Sequence, residues 1–337
     1  MICLFDEVIT DSKILQKRYV IRNGYVFTSI DYPANVYDAI VIKEPVDITC
    51  FSSQIEGSLH SLEKQIDFIN EQEIEKALII ADRIDFITKC PTLKHLRIIP
   101  GDSIGNGFDY SPLYAVSGLK SLQCLTSYGI RDEFSTTIDY SHMENIEDVQ
   151  INGLGHKNYT RIKTLKSLAI SEYQESDLLN LFESSILDTL TLTRCKIKSL
   201  DGLQNSERMQ CLYLYYNRSL HDITALKKVK KTLKALRIEN CPQINDFSVL
   251  AELENLELLQ LTGNNKLMNL DFLNNMKNLK TFVFNMDVLD GDLSPCLDLS
   301  YVYSERNRKH YNLKDSDLPK GEYVRGNETI ETWRRLE

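Results

Sequence analysis

Long apolar runs are missing from this 337-residue sequence, and so is the pattern of a secretory leader. The longest uninterrupted aliphatic stretch is Ala77–Ala81, whereas a helix that spans a bilayer needs about 20 apolar residues. The opening segment Met1–Val8 contains neither the basic region nor the apolar core of a signal peptide. We therefore expect no membrane segment and a cytoplasmic location.

Positive charge is also scarce, and the cysteines are scattered. Lys and Arg number 39 against 48 Asp and Glu, which gives a net charge of −9 and a pI near 5.3. Such a surface is a poor general match for nucleic acid or anionic lipid. The eight cysteines lie at least 16 residues apart, so the sequence has no CxxC pair of a zinc site. We expect reduced thiols and no metal.

Motifs of several enzyme classes are absent too. The sequence contains no HExxH metalloprotease motif and no Walker phosphate loop. The glycine-dense stretch Gly101–Gly107 lacks the Lys-Ser/Thr of such a loop and is interpreted as an inserted surface loop. The histidines form no i, i+4 pair, although His142 and His156 are close enough in sequence to converge. Cys211 is predicted to point outward from a strand as an exposed thiol. We expect no catalytic residues and no cofactor.

What the sequence does contain is a repeat of the form apolar-x-x-apolar-x-apolar, with a small or polar residue three positions later. One clear copy is Leu187-x-x-Leu190-x-Leu192-x-x-Cys195. The alternating apolar residues predict a short strand with one face turned inward. Because one copy cannot bury its own apolar face, the copies must stack as a one-dimensional array. Nine copies, about 23 residues apart on average, begin at residues 93, 119, 146, 165, 187, 209, 233, 256 and 279.

The segments after the strands share a second apolar frame, seen in Leu220–Leu226 and Ile244–Leu250. With both frames the sequence resembles the leucine-rich-repeat family, within it the roughly 22-residue repeats of internalins and of the phosphatase regulator SDS22. The resemblance implies an α/β solenoid, the leucine-rich-repeat horseshoe with a parallel concave sheet and short 3₁₀ or helical convex segments. It also implies a ladder of polar side chains at the strand ends, here Asn217 and Asn264 flanked by Cys195 and Cys241.

Three regions are predicted along the chain. Residues 1–73 form an N-terminal cap or a small strand-rich domain, 74–303 form the array of about ten to eleven copies, and 304–337 form a C-terminal cap and tail. The basic segment Ser304–His310 is interpreted either as a solvated cap loop or as a binding patch for a partner or phosphate. In the first region we predict a helix over Leu59–Asn70 and strands over Tyr19–Ile30, Tyr37–Lys43 and Val46–Phe51.

Strand alternation predicts which side chains face away from the interior. The position between the second and third apolar residues, and the position after the third, form two adjacent ladders across the sheet. Tyr and Arg are enriched at binding hot spots because they combine large contact area with directional hydrogen bonds. We therefore predict a concave protein-binding face that consists of Arg97, Gln123, Gln150, Thr191, Tyr213, Tyr215, Tyr216, Arg237, Glu239 and Gln260.

These features favour a non-enzymatic, bacterial protein-interaction module whose partner is another protein, bound on the concave face. A sharper version is an immunity protein that inhibits a toxin or effector. One alternative is a regulator that activates a GTPase or phosphatase or supplies residues to it, for which Arg97 and Arg237 are the candidates. A second alternative is a structural scaffold that self-associates. We expect a monomer, with no nucleic-acid partner and no membrane partner.

Overall fold

The computed structural model describes residues 19–28, 38–44, 57–101, 108–124, 137–152, 156–182 and 187–323. The chain divides into two units, Met1–Leu165 with Ile330–Glu337 and Lys166–Thr329. Within the described ranges, no helix is long and apolar enough to cross a bilayer. Short parallel strands alternate with 3₁₀ helices in both units, which confirms the predicted α/β solenoid class.

The first unit begins with an antiparallel portion and continues as a parallel sheet. Strands β1, β2 and β3 pair antiparallel, and β3 to β7 pair in parallel in chain order, so parallel pairing starts inside the predicted cap. The elements are β1 Tyr19–Arg22, β2 Tyr25–Thr28, β3 Ala39–Glu44, α1 Leu62–Glu71, β4 Lys76–Ala81, β5 His95–Pro100, β6 Ser121–Cys124 and β7 Asp148–Asn152. The 3₁₀ helices are Asp85–Lys89, Ser111–Ala115, Tyr140–His142 and Tyr159–Arg161.

Local sequence signals determine these first elements. The β1–β2 hairpin turns at Asn23 and Gly24, whose φ values of 52° and 82° suit the left-handed turn of a tight hairpin. Helix α1 begins after Ser61, whose hydroxyl accepts a hydrogen bond from the Lys64 backbone N–H at 3.5 Å. The helix therefore starts three residues later than its apolar spacing predicts. The strand predicted over 46–51 lies outside the described residues.

The second unit is a parallel array with a regular period. Strands β8 to β12, β14 and β16 pair in chain order, while β13 and β15 form a separate small sheet. The strands are β8 Ser167–Ser171, β9 Thr189–Thr193, β10 Cys211–Tyr215, β11 Ala235–Glu239, β12 Leu258–Thr262, β13 Lys266–Leu267, β14 Thr281–Phe284, β15 Asp287–Val288 and β16 Tyr301–Ser304. The 3₁₀ helices are Leu179–Phe182, Leu203–Asn205, Thr224–Lys228, Ser248–Glu252, Asp271–Asn275, Ser294–Cys296 and Asp315–Asp317.

The core of this unit consists of apolar side chains aligned from strand to strand. Leu212 pairs with Leu190 on one side and Leu236 on the other, and all three are fully buried. Leu259 and Phe282 continue the same row at 0% exposure. Full burial of such a side chain stabilises the fold by about 1.5–3 kcal/mol. Each repeat therefore depends on its two neighbours.

Asn217 satisfies buried backbone groups at the end of β10. Its side chain is fully buried, its Oδ1 accepts a hydrogen bond from the Cys195 N–H at 2.8 Å, and its Nδ2 donates to the Leu192 carbonyl at 3.0 Å. The thiols of Cys195 and Cys241 occupy equivalent positions and donate weakly to the carbonyls of Thr193 and Glu239, both at 3.5 Å. The predicted roles of Asn217 and the two cysteines are therefore confirmed.

The prediction of Asn264 as the next ladder residue is wrong by one position. Asn264 is exposed, whereas Asn265 is 8% exposed and donates from Nδ2 to the carbonyls of Cys241 and Ile244 at 3.0 and 2.8 Å. The turn before it contains Gly263 with a φ of 131°, a conformation that side chains with a Cβ rarely adopt. This glycine allows a turn that is one residue longer than in the preceding repeats.

The last strand, β16, is covered along its outer edge by residues that follow it in the chain. The Val302 N–H donates to the Pro319 carbonyl at 2.8 Å. In the basic segment 304–310, Arg308 Nε lies 3.4 Å from Asp287 Oδ1, so this cation takes part in a local ion pair. The tail beyond residue 323 lies outside the described residues.

His156 is a largely buried histidine of the first unit. Its ring centroid lies 5.9 Å from that of Tyr140, and its Nδ1 has no hydrogen-bond partner among the described residues. Burial lowers the pKa of His156 from 6.5 to about 4, because the charged imidazolium loses its hydration. The folded protein therefore keeps this ring neutral at physiological pH.

Replacing Asn217 with Ala should lower the free energy of unfolding by about 2–4 kcal/mol, because two buried backbone groups lose their partner. The control is Asn278→Ala, since Asn278 donates to the Glu254 carbonyl at 2.9 Å but is exposed, so water can replace it. We expect this control to cost less than about 0.5 kcal/mol. Urea unfolding of both variants measures the difference, and equal losses would contradict a structural role for Asn217.

Stability should fall as the pH drops from 6.5 towards 4, partly because of His156. Its folded pKa lies below its unfolded pKa, so its contribution is complete above 6.5 and is lost towards the folded value of about 4. The loss from this group is at most about 3 kcal/mol. Urea unfolding across this pH range should show a shallower pH slope in His156→Phe than in the wild type. His221→Phe, which alters an exposed ring, should retain the wild-type slope. An unchanged slope in His156→Phe would refute this assignment.

Candidate functional site

Backbone register aligns two rows of side chains on the face of the second unit's sheet opposite the leucine core. Tyr213 pairs with Thr191 on β9 and Arg237 on β11, as the sequence predicts. Because Leu212 and Leu214 alternate with Tyr213 and are fully buried, Tyr213 lies on the other face. We define the ladder face as Thr191, Tyr213, Arg237, Gln260, Val283 and Tyr303 in one row, and Thr193, Tyr215, Glu239 and Thr262 in the other.

The predicted residues of the first unit form a row of their own. Arg97 on β5 pairs with Gln123 on β6, which pairs with Gln150 on β7. Arg97 is half-buried, whereas Gln123 and Gln150 are 3% and 6% exposed. This row contains no aromatic residue, so the aromatic part of the predicted binding face lies in the second unit.

Burial of the ladder face differs from the expectation that its residues are displayed to solvent. Tyr213 is 1% exposed, Arg237 6% and Tyr215 8%, and Thr191 is buried as well. Exposure increases towards the last strand, where Tyr303 is 42% exposed. The half-buried members of the predicted set in this unit are Tyr216, Glu239 and Gln260.

Neighbouring side chains contribute to this burial by covering one another. The Arg237 guanidinium carbon lies 5.6 Å from the Tyr213 ring centroid, and the Tyr213 and Tyr215 rings are 6.5 Å apart. The Arg194 guanidinium carbon lies 5.8 Å from the Tyr216 ring. A cation placed over an aromatic face gains about 0.5–2 kcal/mol, with more when water is excluded. The middle of the ladder face is therefore a packed layer of rings and guanidinium groups.

A polar cleft of about 320 Å³ lies where β11, β12, β14 and β16 end. Its volume falls within the range of about 300–1,000 Å³ that is usual for ligand pockets. Asn285 organises it, because its Nδ2 donates to Glu305 Oε2 at 2.7 Å and its Oδ1 accepts from the Gly263 N–H at 2.6 Å. The cleft is lined by Glu239, Asn240, Gln260, Thr262, Gly263, Asn264, Asn285, Glu305 and Arg306.

Most residues of this cleft were not predicted as binding residues. Of the predicted set, Glu239 and Gln260 line the cleft. The cleft draws on strand ends from four strands of the array, so its members are far apart in sequence. The longer turn around Gly263 also moves the buried ladder amide by one residue, from Asn264 to Asn265. The available signal was the adjacent pair Asn264 and Asn265, of which the repeat frame assigned Asn264 to the polar ladder.

The prediction that Cys211 is an exposed thiol is wrong, because Cys211 is 2% exposed. It is the first residue of β10 and lies between Thr189 and Ala235 of the adjacent strands, which are themselves buried. Burial also raises the pKa of the Cys195 and Cys241 thiols to about 12. Those two thiols are therefore protonated and poorly suited to act as nucleophiles.

The histidines named as a conceivable pair lie against different aromatic rings. His142 is 4.8 Å from the Tyr114 ring centroid, and His156 is next to Tyr140. Across the part of the chain that the structure describes, no three or more His, Cys, Asp or Glu side chains cluster as a metal site.

The glycine-dense stretch after β5 lies outside the described residues from 102 to 107. Its first five residues, Gly101–Gly105, match the Gly-x-Ser-x-Gly pattern of a nucleophile elbow, so an expectation that the sequence lacks this pattern is wrong. Such an elbow joins a strand directly to a helix. Ser103 lies outside the described residues, so this match is one of sequence alone.

No protein-family model and no curated protein matches the chain. Among solved structures it is similar to InlF, an internalin of Listeria monocytogenes, with a TM-score of 0.49 and 18% identity over 76% of each chain. It is also similar to the functional domain of InlJ from Listeria monocytogenes, which includes a cysteine ladder, with a TM-score of 0.44 and 19% identity over 63% of this chain and 48% of that one. A leucine-rich-repeat protein of Leptospira interrogans matches with a TM-score of 0.39 and 11% identity, over 74% and 82% of the two chains.

The fold follows from the chain's own geometry. Strands β9 to β12 and β14 start 22 to 24 residues apart, and each pairs in register with the next. A leucine row fills the interior, and buried Asn and Cys side chains satisfy the backbone at the strand ends. With these features the chain has the leucine-rich-repeat solenoid fold.

Proposed function

We propose that this protein is a protein-interaction module and that its partner, another protein, binds the ladder face of the second unit. The observation that carries the proposal is a graded row of side chains on one sheet face. Its middle is packed, at Tyr213 and Arg237, and its margin is accessible, at Gln260 and Tyr303. Hot spots of protein interfaces combine such anchored aromatic and Arg groups with a more polar rim.

The two parts of the ladder face have different roles in this proposal. Gln260, Glu239 and Tyr303 can contact a partner without rearrangement because they are at least partly accessible. Tyr213 and Arg237 form the packed part of the same row, with Arg237 beside Gln260 on the adjacent strand. Side chains that are ordered before binding lose less conformational entropy when the partner arrives, which favours affinity.

A sharper form of the proposal is an immunity function in a bacterial cytoplasm, in which the protein covers a basic toxin or effector. The net charge of −9 supports this form, because a strongly acidic surface accelerates encounter with a basic partner. This form is testable through the charge of the partner, because attraction between opposite charges makes the association rate depend on salt.

The two alternatives have less support. A regulator that supplies an arginine to a partner's active site needs an accessible guanidinium. Of the two candidates, Arg237 is 6% exposed and packed on Tyr213, and Arg97 is half-buried. A scaffold that grows from the last strand needs an open strand edge, whereas the edge of β16 pairs with the chain's own Pro319.

The double substitution Gln260→Ala with Tyr303→Ala should weaken partner binding at least about tenfold, because it truncates the accessible row of the ladder face. Affinity capture from lysate of the source cells first identifies the stoichiometric partner, and calorimetry then measures its affinity. Met268→Ala is the control, since Met268 is 74% exposed and lies outside the ladder face. A partner that binds the double variant and the wild type equally would place the interface elsewhere.

If the partner is basic, its association rate should fall at least about tenfold between low and high salt, while the dissociation rate changes little. Stopped-flow association between about 0.05 M and about 0.5 M NaCl measures this, because the screening length shrinks severalfold over that range. A salt-independent association rate would argue against charge-steered capture and against the immunity form of the proposal.

A further inference from the structure

The polar cleft at the ends of β11, β12, β14 and β16 is rich in hydrogen-bond acceptors and carries negative charge. Two acidic residues, Glu239 and Glu305, line it together with Gln260 and several asparagines. Arg306 is the cation in the lining, so the cleft has a net charge of about −1 at neutral pH. A group rich in N–H donors and positively charged matches this lining.

Thr262 gives independent evidence that the cleft lacks a hydrogen-bond donor. Thr262 lines the cleft and is 5% exposed, and its Oγ1 has no hydrogen-bond partner among the described residues. A buried hydroxyl without a partner destabilises the folded state, because it has given up its hydrogen bonds to water. A ligand N–H that enters the cleft can donate to this oxygen and remove that cost.

One wall of the cleft is fixed before any ligand arrives. Asn285 holds the Glu305 carboxylate at 2.7 Å and is itself held by the Gly263 N–H at 2.6 Å. Gly263 has a φ of 131°, and a Cβ at this position would approach the Asn240 backbone nitrogen to 3.1 Å. Close backbone packing therefore supports the position of Asn285 and, through it, that of Glu305.

We propose that this cleft binds a basic side chain, an arginine guanidinium or a lysine ammonium, that the partner protein presents. The inference rests on the proposed function, because it specifies the chemistry of the group that the partner contributes. Guanidinium carries five N–H donors in a planar fork, which suits two carboxylates and neighbouring amide oxygens. Glu239 and Gln260 belong both to the cleft and to the ladder face, so a partner seated on that face can reach the cleft.

The first test uses a capped peptide, acetyl-Gly-Arg-Gly-amide, as the probe. Titration into the isotope-labelled full chain, followed by the backbone amide signals of Thr262, Gly263 and Asn285, should give saturable shifts. The matched probe contains citrulline, which has nearly the same shape but no charge, and should bind at least tenfold more weakly. Equal shifts with both probes, or no shifts with the arginine probe, would overturn the inference.

The second test changes the lining. Glu239→Gln with Glu305→Gln should weaken the arginine probe at least tenfold, and Thr262→Val should weaken it about threefold by removing one acceptor. Glu254→Gln, an exposed carboxylate outside the cleft, should bind like the wild type. Thermal unfolding establishes that each variant is folded, and unchanged binding by the folded double variant would overturn the proposal.

Failure of this inference can be told apart from failure of the proposed function. The probe titration needs no partner, so binding of the arginine peptide without capture of any protein supports the cleft and contradicts the interaction module. Capture of a partner that the double glutamine variant retains at full affinity supports the module and contradicts the cleft.

Discussion

Each short strand of the second unit can bury its apolar face only against the strands of its two neighbours, and this requirement fixes the position of every other group. Leu212 lies between Leu190 and Leu236 in register, and all three are shielded from water. A slip by one residue would turn the whole leucine row to the opposite face of the sheet. Because the register is fixed by the core, the opposite row is fixed too, and Tyr213 must lie beside Arg237.

The same stacking accounts for the unusual turns that follow the strands. Glu172, Arg194, Tyr216 and Asn240 each follow a strand and each have a φ between 51° and 58°. A left-handed conformation costs a non-glycine residue about 1–2 kcal/mol. The array tolerates this cost because buried Asn and Cys side chains satisfy the backbone just after the turn. The strand ends then come together at one edge of the sheet, which is where the polar cleft forms.

The period of the sequence was sufficient to predict the strands and their register. Alternation assigned Tyr213 and Leu212 to opposite faces, and the structure has them there. Alternation could not predict that the outward row is buried, because the packing of Arg237 on Tyr213 depends on side-chain geometry between repeats. The cleft was missed for a related reason. It depends on a turn that is longer by one residue at Gly263, and a fixed repeat frame places Asn264 where Asn265 belongs.

The ladder face is packed in its middle and accessible at its margin, and both features depend on the strands that also carry the leucine row. Arg237 is nine-tenths buried, and the Tyr213 ring beside it offers a favourable environment for a guanidinium group. This layer is held in place by the leucine row on the other side of the same strands, so it cannot shift without disturbing the core. Gln260 and Glu239 continue directly from it and therefore start from an ordered position. A partner that contacts them meets side chains that folding has already ordered. Binding then loses less conformational entropy, so even a small accessible margin can support specific binding.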